Sequence, residues 1–377
     1  MPTGAHTYDV TVLPGDGIGP EVTEAATTVL EAAQQAHDVH LSLEEHECGA
    51  KHYERTGEEW APGAEQAAEE ADAIFLGAIG WPGVERDDGE IAGAGVVFGL
   101  RFGLDLYANV RPTKLFEGVP HKVHGEFDQV WEADLVDLEI LRENTEGLYT
   151  PARGMLDRGG TSEVAVDNNA ITRKGAQRVA RRAFERAQDR DGCAQDGTSR
   201  VTCVDKANVL DGSRLFREVF EEVAEDFPAI ETDFAYVDAF TQWLVREPEY
   251  YDVCVTTNML GDIVTDLAAV LQGGMGMAPA GNVGEDQAMF EPVHGSSPKH
   301  AGKDEVNPTA AILAAGMMVD WLGRQHGDDR LRRAAQGIEQ AVAETLAEGP
   351  RTYDLGGQAR TSEVGEAVAE RIGRASG

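Results

Sequence analysis

Short β-type runs alternate with longer stretches of helical period along this chain. Residues 9–13 read as a buried strand and residues 15–19 as a turn. Residues 20–37 are rich in Ala and Glu and open on a proline, which predicts a helix with Pro20 in its first turn. Residues 40–47 predict a strand, 64–70 a helix and 73–79 another strand. Strands alternating with helices put the chain in the α/β class, built on a mostly parallel sheet. The helical pattern lapses over residues 151–172, where Gly154, Gly159 and Gly160 interrupt short β-type runs. An exposed hairpin arm fits that stretch. Residues 188–200, carrying DRDGCAQDG, read as a polar surface loop. No internal repeat or low-complexity tract breaks the pattern.

A length of 377 residues makes two domains or one large one. Hydrophobic residues at 42% supply a sizeable core and exclude wholesale disorder. The 67 acidic residues against 32 Lys plus Arg leave a net charge of −35, a field that repels phosphate. General nucleic-acid binding and docking on anionic membranes are excluded on that ground. Among the basic residues only 7 are Lys and 25 are Arg. A surface so acidic and so poor in lysine is expected of a protein that stays soluble in concentrated salt. The four cysteines, Cys48, Cys193, Cys203 and Cys254, form no C-x-x-C pair and no zinc spacing, so free thiols in a reducing compartment are expected. The first residues lack a basic segment followed by an apolar one, and no run approaches 18 apolar residues. A soluble, cytoplasmic protein is the expectation.

Four groups of residues carry candidate chemistry. The segment LPGDGIGPEV follows a strand and opens a helix, as a phosphate-binding loop does. Its glycines alternate instead of matching G-x-G-x-x-G, so a purely structural turn is the favoured reading of the spacing. Arg101, Arg111 and Arg142 lie near the ends of elements, where guanidinium forks suit small carboxylates; surface ion pairs are the alternative in so acidic a chain. Asp262 and Asp266 stand four apart, one helical turn, so both carboxylates share a face. Apolar neighbours make Mg²⁺ or Mn²⁺ between them attractive, against a plain solvated acidic face. Lys206 ends a β-type run in VTCVDKAN, and a lysine kept among so many arginines suits proton exchange, which arginine does not supply; a surface lysine is the other reading.

These pieces occur together and in one order, and the chain resembles the β-decarboxylating dehydrogenases of the isocitrate and 3-isopropylmalate family. The resemblance runs from about Val10 to Arg374, through LPGDGIGPEV, RFGLDLYANVRP, RENTEGLY, VDKAN, YVDAF, NMLGDIVTD, MAPAGNVG and FEPVHGSSPKHAGKDEVNP. It implies an α/β, isopropylmalate dehydrogenase-like two-domain fold that is not the Rossmann fold. The large domain is expected to be discontinuous, 1–106 with 273–377. The small domain, 107–272, is expected to carry the dimer interface and a clasp arm at about 151–172. The active site is expected between domains and shared by two subunits of a homodimer, with a tetramer as the alternative assembly. Arg101, Arg111 and Arg142 would hold substrate carboxylates, with Val97, Phe98 and Asn208 beside them. Asp262 and Asp266, joined by Asp238 of the other subunit, would hold Mg²⁺ or Mn²⁺. Lys206 of the neighbouring subunit would relay the hydroxyl proton and Tyr149 would protonate the enolate. A catalytically dead regulatory subunit is the non-enzyme alternative, and the complete set of site residues speaks against it.

The resemblance places Glu291, His294, Gly295 and Asn307 in the cofactor cleft. Where NAD-dependent relatives carry an aspartate for the adenosine ribose, this chain has Lys299 followed by His300. That favours NADP over NAD, because a lysine attracts a 2′-phosphate that a carboxylate repels. Tyr353 matches a phosphate-contacting tyrosine of NADP-dependent isocitrate enzymes, while Gly357 stands where they have an arginine. Those enzymes also place a serine and an asparagine six and four residues before the first arginine. Here the positions are Gly95 and Val97, which disfavours isocitrate or homoisocitrate. D-malate or tartrate is the first expectation, with Phe98 filling the space of a tail; 3-isopropylmalate is the second.

Overall fold

A computed structural model describes residues 6–375. The chain opens with β1 (Thr7–Gly15), α1 (Gly19–His37), β2 (His40–Glu45), α2 (Ala50–Thr56), α3 (Ala64–Glu70), β3 (Ala73–Ala78) and α4 (Ala94–Gly103). It continues through β4 (Ala108–Lys114), β5 (His121–Val123), β6 (Glu126–Asp128), β7 (Asp137–Glu143), β8 (Arg153–Arg158), β9 (Thr161–Asp167), α5 (Arg173–Asp189), β10 (Arg200–Asp205) and α6 (Asp211–Ala224). Then come β11 (Glu231–Tyr236), α7 (Val237–Arg246), β12 (Val253–Thr256), α8 (Asn258–Leu271), β13 (Pro279–Val283), β14 (Ala288–Pro292), α9 (Thr309–His326), α10 (Asp329–Glu348) and α11 (Thr361–Ala375).

Two compact units result. The first comprises the described residues up to Leu106, Leu115–Ala133 and those from Ala269 onward. Its strands run in the order β13-β14-β3-β1-β2, parallel except for the β13–β14 pair. α1 packs against α9, α10 and α11. The apolar spacing explains this: Val22, Ala25, Ala26, Val29, Leu30 and Ala33 line one buried stripe of α1. Asp38, at φ 53°, ends the helix in the left-handed region. β3 is buried throughout, as expected of a strand covered on both faces. Each such Phe, Leu or Ile removed from water contributes roughly 1.5–3 kcal/mol.

The second unit comprises Tyr107–Lys114 and Asp134–Ala268. Its strand order is β11-β10-β12-β7-β4, parallel except for β4 against β7. α5 buries Ala176, Val179, Ala180, Ala183, Phe184 and Ala187, and the Phe184 ring stacks on Phe220 and Phe227. Residues 153–167 form an antiparallel ribbon of β8 and β9 whose side chains are all exposed.

The segment 188–200 is mostly exposed, but Cys193 and Arg200 turn inward from it. All four cysteines are free and buried. α2 had no signature in the pattern. It is short and polar, and its N-terminus is capped from 34 residues away: Asp16 accepts from the Ala50 and Lys51 N–H groups, both at 2.8 Å.

Candidate active site

In the second unit the sheet and the first turns of α8 bring five candidates together. Asn109 on β4 faces Arg142 on β7, and Arg111 follows Asn109 on the same face of its strand. Arg142 is almost wholly buried. Its Nε and Nη2 donate to Asn258 Oδ1 at 3.0 and 2.7 Å, and its Nη1 donates to Asp262 Oδ1. Arg111 Nε donates to Asn109 Oδ1 at 2.7 Å, and its Nη1 donates to Thr265 Oγ1. The same guanidinium lies 3.7 Å from Asp262 and 3.6 Å from Asp266. Tyr149 donates its hydroxyl proton to Asp262 Oδ2 at 2.8 Å, and its ring lies 5.5 Å from the Arg142 guanidinium.

Burial raises the Asp266 carboxyl above its ordinary value; Arg111 pulls the other way and the Asp262 charge adds to the rise. Burial, followed by the hydrogen bond to Asp262, raises the Tyr149 phenol, which therefore keeps its proton at neutral pH. Two carboxylates one turn apart, offering only oxygen donors, fit a hard divalent cation. Here the two arginines neutralise them. Among the described residues, no three His, Cys, Asp or Glu side chains of this one chain converge as a metal site.

The third acidic candidate, Asp238, is held elsewhere in this unit. Parallel β10 and β11 end side by side, with Asp205 opposite Tyr236. Lys206 and Asp238 follow those ends, and Lys206 Nζ donates to Asp238 Oδ1 at 2.6 Å. That hydrogen bond holds the exposed Asp238 carboxyl below its ordinary range. Asp205 is fully buried and positions the turn: Arg217 donates to both its oxygens at 2.7 and 2.8 Å, and Ala207 N–H donates to it at 2.8 Å. Asn208 lies exposed beyond Lys206.

The cofactor candidates belong to the first unit. His294 is half-buried; its Nδ1 contacts the Gly295 carbonyl at 3.1 Å, and its Nε2 atom is buried without a partner among the described residues. Burial lowers its pKa, so the imidazole is neutral. An orphaned ring nitrogen beside exposed Gly295 fits a dinucleotide that supplies the missing hydrogen-bond partner. Lys299 is exposed and has no ion pair among the described residues. His300 contacts Glu305 at 2.8 Å and stacks on Tyr353, with ring centroids 5.6 Å apart. Asn307 donates to Asp354 at 3.1 Å and accepts from Thr309 N–H at 3.0 Å, so its amide serves the protein.

Also in the first unit, Arg101 on α4 donates to Glu291 at 2.8 Å, and Asn282 donates to the same oxygen at 2.8 Å. Arg101 Nε is buried without a partner among the described residues. Val97 packs into the core cluster beside Trp60, Ile79 and Leu104. Phe98 is 41% exposed, and its ring stacks on that of Phe102.

Sequence reasoning missed Asn109, Asn258, Thr265, Asn282 and Glu59. The Glu59 carboxylate accepts from Gly93 and Gly95 N–H groups at the start of α4 and pairs with Arg86 at 3.2 Å. A β-carbon at Gly95 would stand 2.1 Å from a Glu59 oxygen. The segment LPGDGIGPEV acts here as a structural turn: besides capping α2, Asp16 accepts from Gly80 N–H at 2.8 Å. No spacing rule announces such partners.

A two-unit α/β chain with these clusters falls in a known class. The chain belongs to the isocitrate/isopropylmalate dehydrogenase family, which its residues 9–368 match, and it is a β-decarboxylating dehydrogenase. It is 39% identical over 372 residues to a 3-isopropylmalate dehydrogenase of Thermobifida fusca, covering 98% of both chains. It is 36% identical over 371 residues to the decarboxylating D-malate dehydrogenase of Escherichia coli, covering 97% of this chain and 99% of the other. The crystal structure of isocitrate dehydrogenase from Methylococcus capsulatus matches with a TM-score of 0.83 and 36% identity, covering 97% and 99% of the two chains. The family acts on small molecules with NAD(P) and a divalent metal. Among the described residues, no helix is long and apolar enough to cross a membrane.

Proposed function

We propose that this chain oxidises a 2-hydroxy acid bearing a C3 carboxylate and releases that carboxylate as CO₂, with D-malate or tartrate as its substrate. The observation that carries the reaction is the grouping of Arg111, Arg142, Tyr149, Asp262 and Asp266. Arg101, Arg111 and Arg142 hold the substrate carboxylates through guanidinium forks. Asp262 and Asp266, with Asp238 of a second copy, would hold Mg²⁺ or Mn²⁺, which would supply Lewis-acid polarisation of the C2 oxygen. Lys206 of that second copy, held beside its own Asp238 at 2.6 Å, accepts the hydroxyl proton. His294, Lys299, His300 and Tyr353 would hold a dinucleotide, which would supply the hydride acceptor. Tyr149, whose proton is held firmly, delivers it to the carbon left by CO₂.

Two features of α4 support a substrate without a third carboxylate. Glu59 presents a negative charge at Gly95 and leaves no room for a side chain there. Phe98 stands one turn before Arg101 and takes up space that a substrate tail would need. One observation favours 3-isopropylmalate as a second reading: the exposed Phe98–Phe102 stack offers an apolar surface to an isopropyl group. Exposed Lys299 supports NADP over NAD, by a small margin because Glu305 engages the neighbouring His300. A homodimer is supported by the apolar side chains that the second unit exposes, Met155, Leu156, Val166, Val209, Trp243 and Ile263.

Steady-state kinetics in molar salt on D-malate, tartrate, 3-isopropylmalate and isocitrate, each with NAD and NADP, tests the proposal. The highest kcat/KM is expected for D-malate or tartrate with NADP. A clear preference for 3-isopropylmalate replaces the first reading with the second, and a preference for isocitrate overturns both.

A further inference from the structure

We propose that Glu21, with the Gly17–Ile18 turn before it, is a positioning residue for the segment 296–304 that sets dinucleotide selectivity. The inference rests on the dinucleotide reading of Lys299 and Tyr353. It concerns a motif that the reaction leaves without a task, since LPGDGIGPEV serves as a structural turn. That turn holds both ends of the segment. At one end Ile18 N–H donates to the Ser296 carbonyl at 2.8 Å. Gly17, at φ +65°, lies so close to that carbonyl that a β-carbon would stand 1.9 Å from its oxygen. Only glycine permits the approach.

At the other end the Glu21 carboxylate takes two backbone donors. One oxygen accepts from Gly302 N–H and the other from Asp304 N–H at 2.9 Å. Asp304 passes the restraint on: its carboxylate accepts from the Ser362 N–H at 2.9 Å and the Ser362 hydroxyl at 2.8 Å, at the start of α11. Between the two anchors lies the short turn Pro298–His300 that carries Lys299. The segment includes two left-handed residues that are not glycine, Ser297 at φ 38° and Asp304 at φ 52°. Such backbone persists when its surroundings fix it. Glu21 meets no cation among the described residues, so its charge serves these two N–H groups. A backbone N–H donating to a charged acceptor makes a stronger bond than one donating to a neutral acceptor. Its loss frees the segment and removes no group that touches substrate.

The test measures Glu21→Gln in the full chain with NAD and NADP. The amide keeps one acceptor and turns an NH₂ toward the other backbone donor. KM for both dinucleotides is expected to rise about tenfold, the loss of one charged hydrogen bond. kcat and the KM for the hydroxy acid are expected to stay within about twofold, as fits a group that acts on cofactor binding alone. Ser362→Ala, which loosens the same restraint from α11, is expected to move the dinucleotide KM in the same direction by a smaller factor. Unchanged dinucleotide KM in Glu21→Gln, or an equal fall in kcat, overturns the inference. Lys299→Asp, measured alongside, separates the two readings. If it leaves the NADP/NAD ratio unchanged while Glu21→Gln raises both KM values, the selectivity reading falls and the positioning role stands. If it shifts the ratio while Glu21→Gln does nothing, the positioning role falls alone.

Discussion

Around α8, Arg142 is engaged by Asn258 and Asp262, Arg111 by Asn109 and Thr265, and Tyr149 by Asp262. In the first unit, by contrast, His294 Nε2 and Arg101 Nε are buried with no partner among the described residues. The first arrangement is self-neutralised, so a ligand entering it trades existing bonds for new ones. The net gain of such exchange is small, and selectivity comes from geometry. The second arrangement keeps unsatisfied groups, so a ligand supplying partners removes a desolvation penalty of about 1–3 kcal/mol at each. The α8 cluster is therefore the one expected to decide turnover, and the cofactor candidates of the first unit the ones expected to decide binding.

The sharpest way to break that contrast is at the proton-carrying groups. Lys206→Met is expected to lower oxidation of the hydroxy acid by about 10²–10⁴. Tyr149→Phe is expected to spare oxidation and slow the decarboxylation and protonation half, seen as ketoacid accumulating in single turnovers. Near wild-type oxidation by Lys206→Met means another group is the base. Asp262→Asn comes next. It is expected to cost about 10²–10³ in kcat with far-UV circular dichroism unchanged, and chelator-treated enzyme is expected to recover with Mn²⁺ or Mg²⁺. Full activity in the chelated enzyme removes the metal assignment.

Changes in the first unit are expected to be smaller and to appear as preferences. Lys299→Asp places a carboxylate where a 2′-phosphate would bind, and should move the NADP/NAD ratio of kcat/KM toward NAD by roughly ten- to a hundredfold. An unchanged ratio makes Lys299 a surface lysine. The smallest shift is expected from Phe98→Leu, which should raise activity on 3-isopropylmalate relative to D-malate by about tenfold. If wild type already prefers 3-isopropylmalate and the change abolishes that preference, Phe98 is a wall for the isopropyl group.

What the pattern disclosed divides along the same physical line. α1, α3, β3 and the 153–167 ribbon were legible because periodicity and turn residues are local properties. So was the Asp262–Asp266 pair, which needs one helical turn and nothing else. Asn258 and Asn109 were not, because their roles come from Arg142 and Arg111, brought to them by β4, β7 and α8. Glu59 and Glu21 belong to the same class: each is an ordinary exposed-type glutamate until tertiary contacts set backbone donors against its carboxylate. α2 was hidden for the same reason, its cap coming from Asp16 on a distant loop.

The ribbon of β8 and β9 has a consequence for how this protein responds to dilution. Two antiparallel strands alone are at best marginally ordered in water, and these expose Met155, Leu156, Val164 and Val166. Whatever covers them contributes free energy that follows mass action. With a second copy as the cover, melting temperature and specific activity should both climb with protein concentration and level off together. Limited proteolysis at Gly159–Gly160, the tip of the ribbon, should fade over the same range.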